Sequence, residues 1–150
     1  MKMKLPPYDE DHLFFGMLFM ISNRLQVIGD HFFEEITTKQ WFVLVVLEIF
    51  GEEYPTFNEL AEGVGSSHQN VKQLVVKLEE KGFVRILKDP LDRRKSRIAL
   101  TLKMKSIVEK YREKEEQFLN GLFAGIRTED LRKAVSVFLK MQENMECMSD

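Results

Sequence analysis

The stretch from Thr56 to Thr101 changes its hydrophobic period partway, and that change limits the folds open to the chain. Thr56-Phe57-Asn58-Glu59 has the spacing of a capping box, in which a Thr at a helix start and a Glu three residues on satisfy each other's backbone donors. It opens a short helix to about Gly63. Val64-Gly65-Ser66-Ser67 reads as a tight turn, and a second helix runs to Lys81 with Val71, Leu74, Val75 and Leu78 on its buried face. Gly82 closes that helix. Beyond it the three- and four-residue spacing stops. Phe83–Lys88 and Ser96–Thr101 are rich in β-branched and apolar residues with partial alternation, the pattern of a hairpin. Ala61 is small enough for two helices to cross closely, and Gly65 permits the sharp turn between them. Helix, tight turn, helix and hairpin together make a winged helix-turn-helix.

Both flanks are helical. Leu13, Met17, Ile21, Leu25, Ile28 and Phe32 recur at helical spacing and predict one long amphipathic helix from about Asp9 to Glu35. Phe14, Leu18 and Phe19 widen its apolar surface beyond one stripe, so it needs a second surface to cover it. Thr37-Thr38-Lys39-Gln40 is another capping box. The helix it opens is apolar nearly all round from Trp41 to Phe50, except at Glu48, which predicts burial, and Gly51 ends it. After the hairpin, Met104, Ile107, Val108, Tyr111, Phe118 and Leu122 mark a long helix with a charged middle. The pattern breaks between Gly121 and Arg127, and Thr128 caps a last helix carrying Leu131, Ala134, Val135, Phe138 and Met145. The expected fold class is mainly α with a small β-hairpin wing, a winged helix-turn-helix with flanking dimerisation helices. We expect one domain over residues 1–150, with helices at 9–35 and 102–146 flanking a core at 37–101.

Composition excludes several classes. With 44% hydrophobic and 31% charged residues the chain is neither disordered nor fibrous. Its single cysteine, Cys147, leaves no partner for a disulfide within the chain and no cysteine metal cluster, as suits a cytoplasmic protein. The longest nearly unbroken apolar run is Phe14–Ile21, well short of the ~20 residues a membrane span requires. Lys2 and Lys4 are followed by Pro6, Pro7 and the acids at 9–11, which is not how an export signal reads. No glycine-rich phosphate loop, nucleophile motif or paired-histidine motif is present, so we expect no enzyme, no cofactor and no metal. His12, His31 and His68 are scattered. The first two lie ~28 Å apart along one helix and cannot share an ion within a subunit.

Charge is uneven. The net charge is −2, yet the window from Ser66 to Lys105 holds eleven Lys or Arg against four acids, +7 there and −9 elsewhere. A basic face on an acidic protein attracts phosphates locally. Projected at 100° per residue, Gln69, Gln73 and Val76 lie opposite the buried stripe of the second helix of the motif, with Asn70, Lys72 and Lys77 beside them. Gln and Asn can pair with both major-groove edge atoms of adenine, and Lys reaches phosphate or guanine. Either Ser66 or Ser67 can cap this helix and meet the backbone at its start. The plainer alternative is a polar face with Gln69 spent on capping from Ser66. In the hairpin loop Pro90 stiffens the turn, and Arg93, Arg94, Lys95 and Arg97 place four cations at its tip and returning strand. An Arg extended from a hairpin suits a narrow minor groove. Asp92 is placed to orient Arg94 through a bidentate pair.

Leu60-Ala61-Glu62, then Leu78-Glu79-Glu80-Lys81-Gly82-Phe83-Val84, then Asp89-Pro90-Leu91-Asp92-Arg93-Arg94 and Ile98-Ala99-Leu100-Thr101 follow in the order and spacing of the MarR family, which the whole chain resembles. Ser66 stands where that family usually has an apolar residue, and Val76 where it has a polar one. The resemblance implies a homodimer joined by the first and last helices, bound to a pseudo-palindromic double-stranded DNA operator. It also implies a recognition helix in the major groove, a wing in the minor groove, and repression as the default outcome. Many members bind a small aromatic or anionic ligand. No cysteine lies in the first helix, where some relatives sense oxidants, so an organic effector is the expected signal. His12, Phe15, Trp41 and Phe42 offer walls for it in the crevice between the first two helices and the DNA-binding core, with ordinary core packing as the alternative. The rival reading of the whole chain is a winged-helix protein-interaction module without sequence-specific DNA binding. Such a module needs no basic wing.

Overall fold

The structure, a computed structural model, describes residues 9–148. The elements run α1 (Glu10–Phe32), α2 (Thr38–Phe50), α3 (Phe57–Val64), α4 (His68–Glu80), β1 (Val84–Lys88), β2 (Ser96–Leu100), α5 (Leu102–Leu122) and α6 (Thr128–Met148). The fold is mainly helical with one antiparallel hairpin, as the sequence predicts. By packing, the chain divides into two units, one running through Glu109 and one from Lys110.

Both capping boxes form. Thr37 Oγ1 accepts from Gln40 N at 3.2 Å while Gln40 Oε1 accepts from Thr37 N at 3.1 Å. Thr56 and Glu59 repeat the exchange at 3.3 and 2.7 Å. The ends of α3 and α4 share one device. Gly65 and Gly82 take φ of 66° and 79°, the left-handed region that a side chain disfavours. The N–H of Gly65 bonds Glu62 O and that of Ser66 bonds Ala61 O, both at 3.0 Å. Gly82 to Glu79 and Phe83 to Leu78 do the same at 2.8 and 2.9 Å, the paired bonds of a Schellman turn. Phe83 is therefore part of the turn, and β1 begins at Val84, one residue later than the alternation suggests. At the other end, α6 starts at Thr128 itself. Arg127 O accepts from Leu131 N, and the Arg127 guanidinium reaches Asp130 at 2.8 and 3.0 Å, so Arg127 holds the capping position expected for Thr128.

In the hairpin Val84 faces Leu100 and Lys88 faces Ser96. The segment before α3 edges it: Thr56 bridges Arg97, and Ile98 N donates to Pro55 O at 2.9 Å. Leu44, Leu47, Leu60, Val71, Val75, Leu78, Phe83, Val84 and Ile98 form the core, each no more than 2% exposed. Burial of such a side chain contributes roughly 1.5–3 kcal/mol. The second helix is not buried all round, as its sequence suggests. Its covering elements reach Val43, Leu44, Val46 and Leu47, while Phe42 and Ile49 face outward at 43% and 80% exposure. α1 meets α2 closely at Gly29, where an added Cβ would overlap Thr38 Oγ1. Thr38 N and Oγ1 both donate to Asp30 Oδ1, at 2.7 and 2.8 Å, tying the start of α2 to the end of α1. Elsewhere α1 buries little: Gly29 is its one fully buried residue. In α6 no residue is fully buried.

Among the described residues no helix is long and apolar enough to cross a membrane. Among the same residues no three His, Cys, Asp or Glu side chains gather as metal ligands.

Candidate nucleic-acid interface

The start of α4 is fixed by its own side chains. Ser67 is the N-cap, its Oγ accepting from Asn70 N at 3.3 Å. Ser66 Oγ accepts from Asn70 Nδ2 at 2.8 Å. The polar Ser66 thus clamps the half-buried Asn70, and Gln69 is not spent on the cap. Gln69, Lys72, Gln73 and Lys77 are exposed along the outward face, with Val76 among them at 38% exposure. The face stands out because Val71, Val75 and Leu78 hold the opposite side of the helix in the core.

The wing has a saturated base and an open tip. At the base Asp89 is buried, and its Oδ1 accepts from Leu91 N and Asp92 N at 2.8 and 3.0 Å. Its Oδ2 accepts from Arg97 Nε, and Arg97 Nη1 donates to Tyr54 O at 2.7 Å. The Asp92 N–H, then the Arg97 guanidinium and the Leu91 N–H, hold the Asp89 carboxyl down at about 2. Asp89 in turn raises Arg97. Arg97 is therefore half-buried at the root of the wing, apart from the tip cations. At the tip Arg93, Arg94 and Lys95 are exposed, and Leu91 is almost wholly so. Arg94 donates from Nε to Asp92 Oδ1 at 3.2 Å and from Nη2 to Oδ2 at 3.4 Å, the orienting pair the spacing predicts. The Arg94 side chain, then its N–H, lowers Asp92 below its ordinary carboxylate range.

Helix and wing share one surface. A shallow depression lined by Gln69, Lys72, Gln73, Val76 and Lys77 adjoins a crevice of about 520 Å³, and both include Lys72 and Val76. The far wall of that crevice is Arg94, Lys95 and Arg97, with His68 and Glu59 at its margin. Glu59 is lowered mainly by the Thr56 N–H and hydroxyl, so it stays charged and locked in its capping box. Arg93 lines neither depression.

The four residues proposed for an effector do not come together. Trp41 stacks on Phe33 at 5.7 Å, Phe15 packs edge-on against Phe19 at 5.1 Å, and His12 lies 3.7 Å from the Asp9 carboxylate. His12 and Phe15 belong to the start of α1, whereas Trp41 packs beyond its end, some 20 Å or more along the helix. A crevice of about 290 Å³ does lie between α1, α2 and the helix-turn-helix. Of the four, Phe42 alone lines it, with Ser22, Gln26, Lys39 and Asn70. Ser22 and Gln26 are polar residues on the α1 face turned to α2, a position that hydrophobic periodicity passes over. Asp89 stands in the wing motif, where the sequence reading gives it no role, although an Asp followed by Pro, with N–H groups two and three residues on, is the signal of an Asx turn.

Residues 35–95 match the profile of the MarR family. Comparison with curated proteins gives no match. Among solved structures, the MepR–DNA complex of S. aureus superposes with a TM-score of 0.75 at 23% identity, covering 91% of this chain and 98% of that one. BpsR of Bordetella bronchiseptica, solved in a study of how 6-hydroxynicotinic acid regulates its DNA binding, gives 0.72 at 22%, over 85% and 96%. A MarR/EmrR family regulator from Acinetobacter sp. ADP1 gives 0.79 at 17%, over 93% and 99%. The segment from α2 into the wing thus matches the MarR family, and the chain shares the fold of these solved regulators over most of its length.

Proposed function

We propose that the protein is a sequence-specific, double-stranded DNA-binding transcriptional regulator that acts as a homodimer and represses by occupying its operator. The observation that carries this reading is the unbroken surface from α4 to the wing. It offers amide and ammonium groups on a projecting helix beside cations on a braced hairpin. In this reading Gln69, Gln73, Lys72 and Lys77 enter the major groove, and Arg93, Arg94 and Lys95 reach the minor groove and its phosphates. Ser66, Ser67, Asn70 and Arg97 shape the interface, the serines also presenting hydroxyls beside the backbone. The exposed apolar residues of α1 and α6 favour a partner subunit, since a single chain leaves Phe15, Phe19, Val135 and Leu139 each more than half exposed.

A small organic effector fits the crevice beside Lys39 and Phe42. A cation, an aromatic wall and several hydrogen-bonding groups suit an aromatic anion, and BpsR offers a precedent in 6-hydroxynicotinic acid. Such a ligand releases DNA when it favours a dimer whose recognition helices are wrongly spaced.

Duplex binding over a salt series tests the DNA reading. The logarithm of affinity is expected to fall linearly and steeply with the logarithm of salt. Binding that is absent at low salt identifies the winged helix as a protein-interaction module instead.

A further inference from the structure

Recognition in a two-fold dimer depends on how firmly each α4 is tied to the rest of its subunit. The N-terminal end of α4 is joined to α3 through one tight turn. Its C-terminal end is held differently: Glu79 Oε1 accepts from Ile86 N of β1 at 2.8 Å, and Lys81 reaches the other neighbouring elements. Lys81 follows the last turn of α4. Its Nζ donates to the Glu35 carbonyl at 2.6 Å and to Gln40 Oε1 at 3.2 Å. Glu35 lies in the link between α1 and α2, and Gln40 belongs to the capping box that starts α2. Gln40 is only 2% exposed and its Oε1 is also fixed by Thr37 N, so the anchor is rigid. The Lys81 carbonyl meanwhile accepts from Lys103 Nζ at 2.7 Å, in the first turn of α5. That ammonium also sits 4.6 Å over the Phe83 ring. The Lys103 ammonium therefore meets the negative end of α4, where a helix favours a cation.

We infer that Lys81 is a positioning residue that sets the spacing between the two recognition helices, by fastening the end of α4 to both the α1–α2 link and the start of α5. The inference rests on the reading of the protein as a DNA-binding dimer. Val71, Val75 and Leu78, all fully buried, dock α4 on the core through contacts that do not involve the Lys81 ammonium. Its bonds instead restrict the tilt of a helix already docked. They join the end of α4 to the α1–α2 link and the start of α2, bypassing the path through α3. Without the ammonium the helix keeps its contacts with DNA but gains freedom to meet half-sites at other separations. Its discrimination among spacings falls before its affinity for a half-site does.

The test uses the full-length protein and duplexes carrying two copies of its selected half-site, at the preferred separation and with one base pair added. The readout is the ratio of the two dissociation constants, from which any loss of active protein cancels. Wild type should show a penalty of about tenfold for the added pair. In Lys81→Met, which keeps the aliphatic stem, that penalty should shrink at least threefold. Lys103→Met leaves the Lys81 ammonium intact and removes only the bond to its carbonyl and the contact with Phe83, and should act in the same direction. An unchanged ratio in both variants overturns the inference while leaving the DNA-binding reading standing. A wild-type protein that binds neither duplex overturns that reading, and the inference with it.

Discussion

The winged-helix region and the terminal helices use their apolar residues in opposite ways. From α2 to β2, Leu44, Leu60, Val71, Val75, Leu78 and Ile98 are sealed inside the chain that carries them. In α1 and α6, residues of the same chemistry lie open: Phe15 is 63% exposed and Val135 55%. The first region completes its own core, so its outward face is free to be polar and to meet a ligand. The second leaves apolar surface open, which in the proposed dimer a partner subunit would cover. Stability and assembly should accordingly respond to different substitutions.

The largest effect is expected where assembly and DNA binding depend on the same face. Val135→Glu places a charge on the open side of α6 and should convert dimer to monomer in sedimentation, with operator affinity falling by two orders of magnitude or more. A variant that remains dimeric removes this part of α6 from the interface. Next comes Leu78→Ala, which empties a fully buried site and should cost about 2–5 kcal/mol in denaturant unfolding. A loss under 1 kcal/mol would show that the core collapses around the gap. Gln73→Ala should relax preference at a single base position by ~1–3 kcal/mol, read from affinities for the four bases there. Equal weakening on every sequence would instead make Gln73 a phosphate or packing residue. Arg94→Ala should lower affinity on all sequences and reduce the salt slope by about one.

The smallest effect concerns the wing base. Asp89 is held at about 2 in the fold, against an ordinary value of 3.8. A depressed carboxyl stabilises the fold fully above its unfolded value, and that contribution is lost as pH falls from 3.8 through about 2. Wing order, followed by amide exchange at Leu91 and Asp92, should be constant from neutral pH to about 4 and decline below it. Asp89→Asn should show the weaker order at neutral pH and little change on acidification. Equal pH responses in the two proteins would place the sensitivity elsewhere.

Much of this was legible because local chemistry decides it. The capping boxes at Thr37 and Thr56, the turns at Gly65 and Gly82, and the Asp92–Arg94 pair each involve residues within five positions of one another. The helical periods gave α4 its buried and outward faces for the same reason. What failed or was missed is non-local. Lys81 reaches Gln40 across 41 positions and Arg97 reaches Tyr54 across 43, and no period or motif in the sequence reports such bonds. The effector residues were grouped by chemistry alone. His12 and Trp41 are both plausible pocket residues, but the length of α1 separates them. A crevice between α1, α2 and the helix-turn-helix is lined by Phe42, alone of the four, and by polar residues such as Gln26 and Asn70 that look like ordinary surface.

The central claim is that two copies of this surface read DNA together, and selection of bound duplexes from random sequence tests it most directly. The account predicts enrichment of a two-fold pseudo-palindrome whose half-sites are centred about one helical turn, roughly 10 base pairs, apart. Enrichment of no sequence, or of a single unrepeated element, would contradict it.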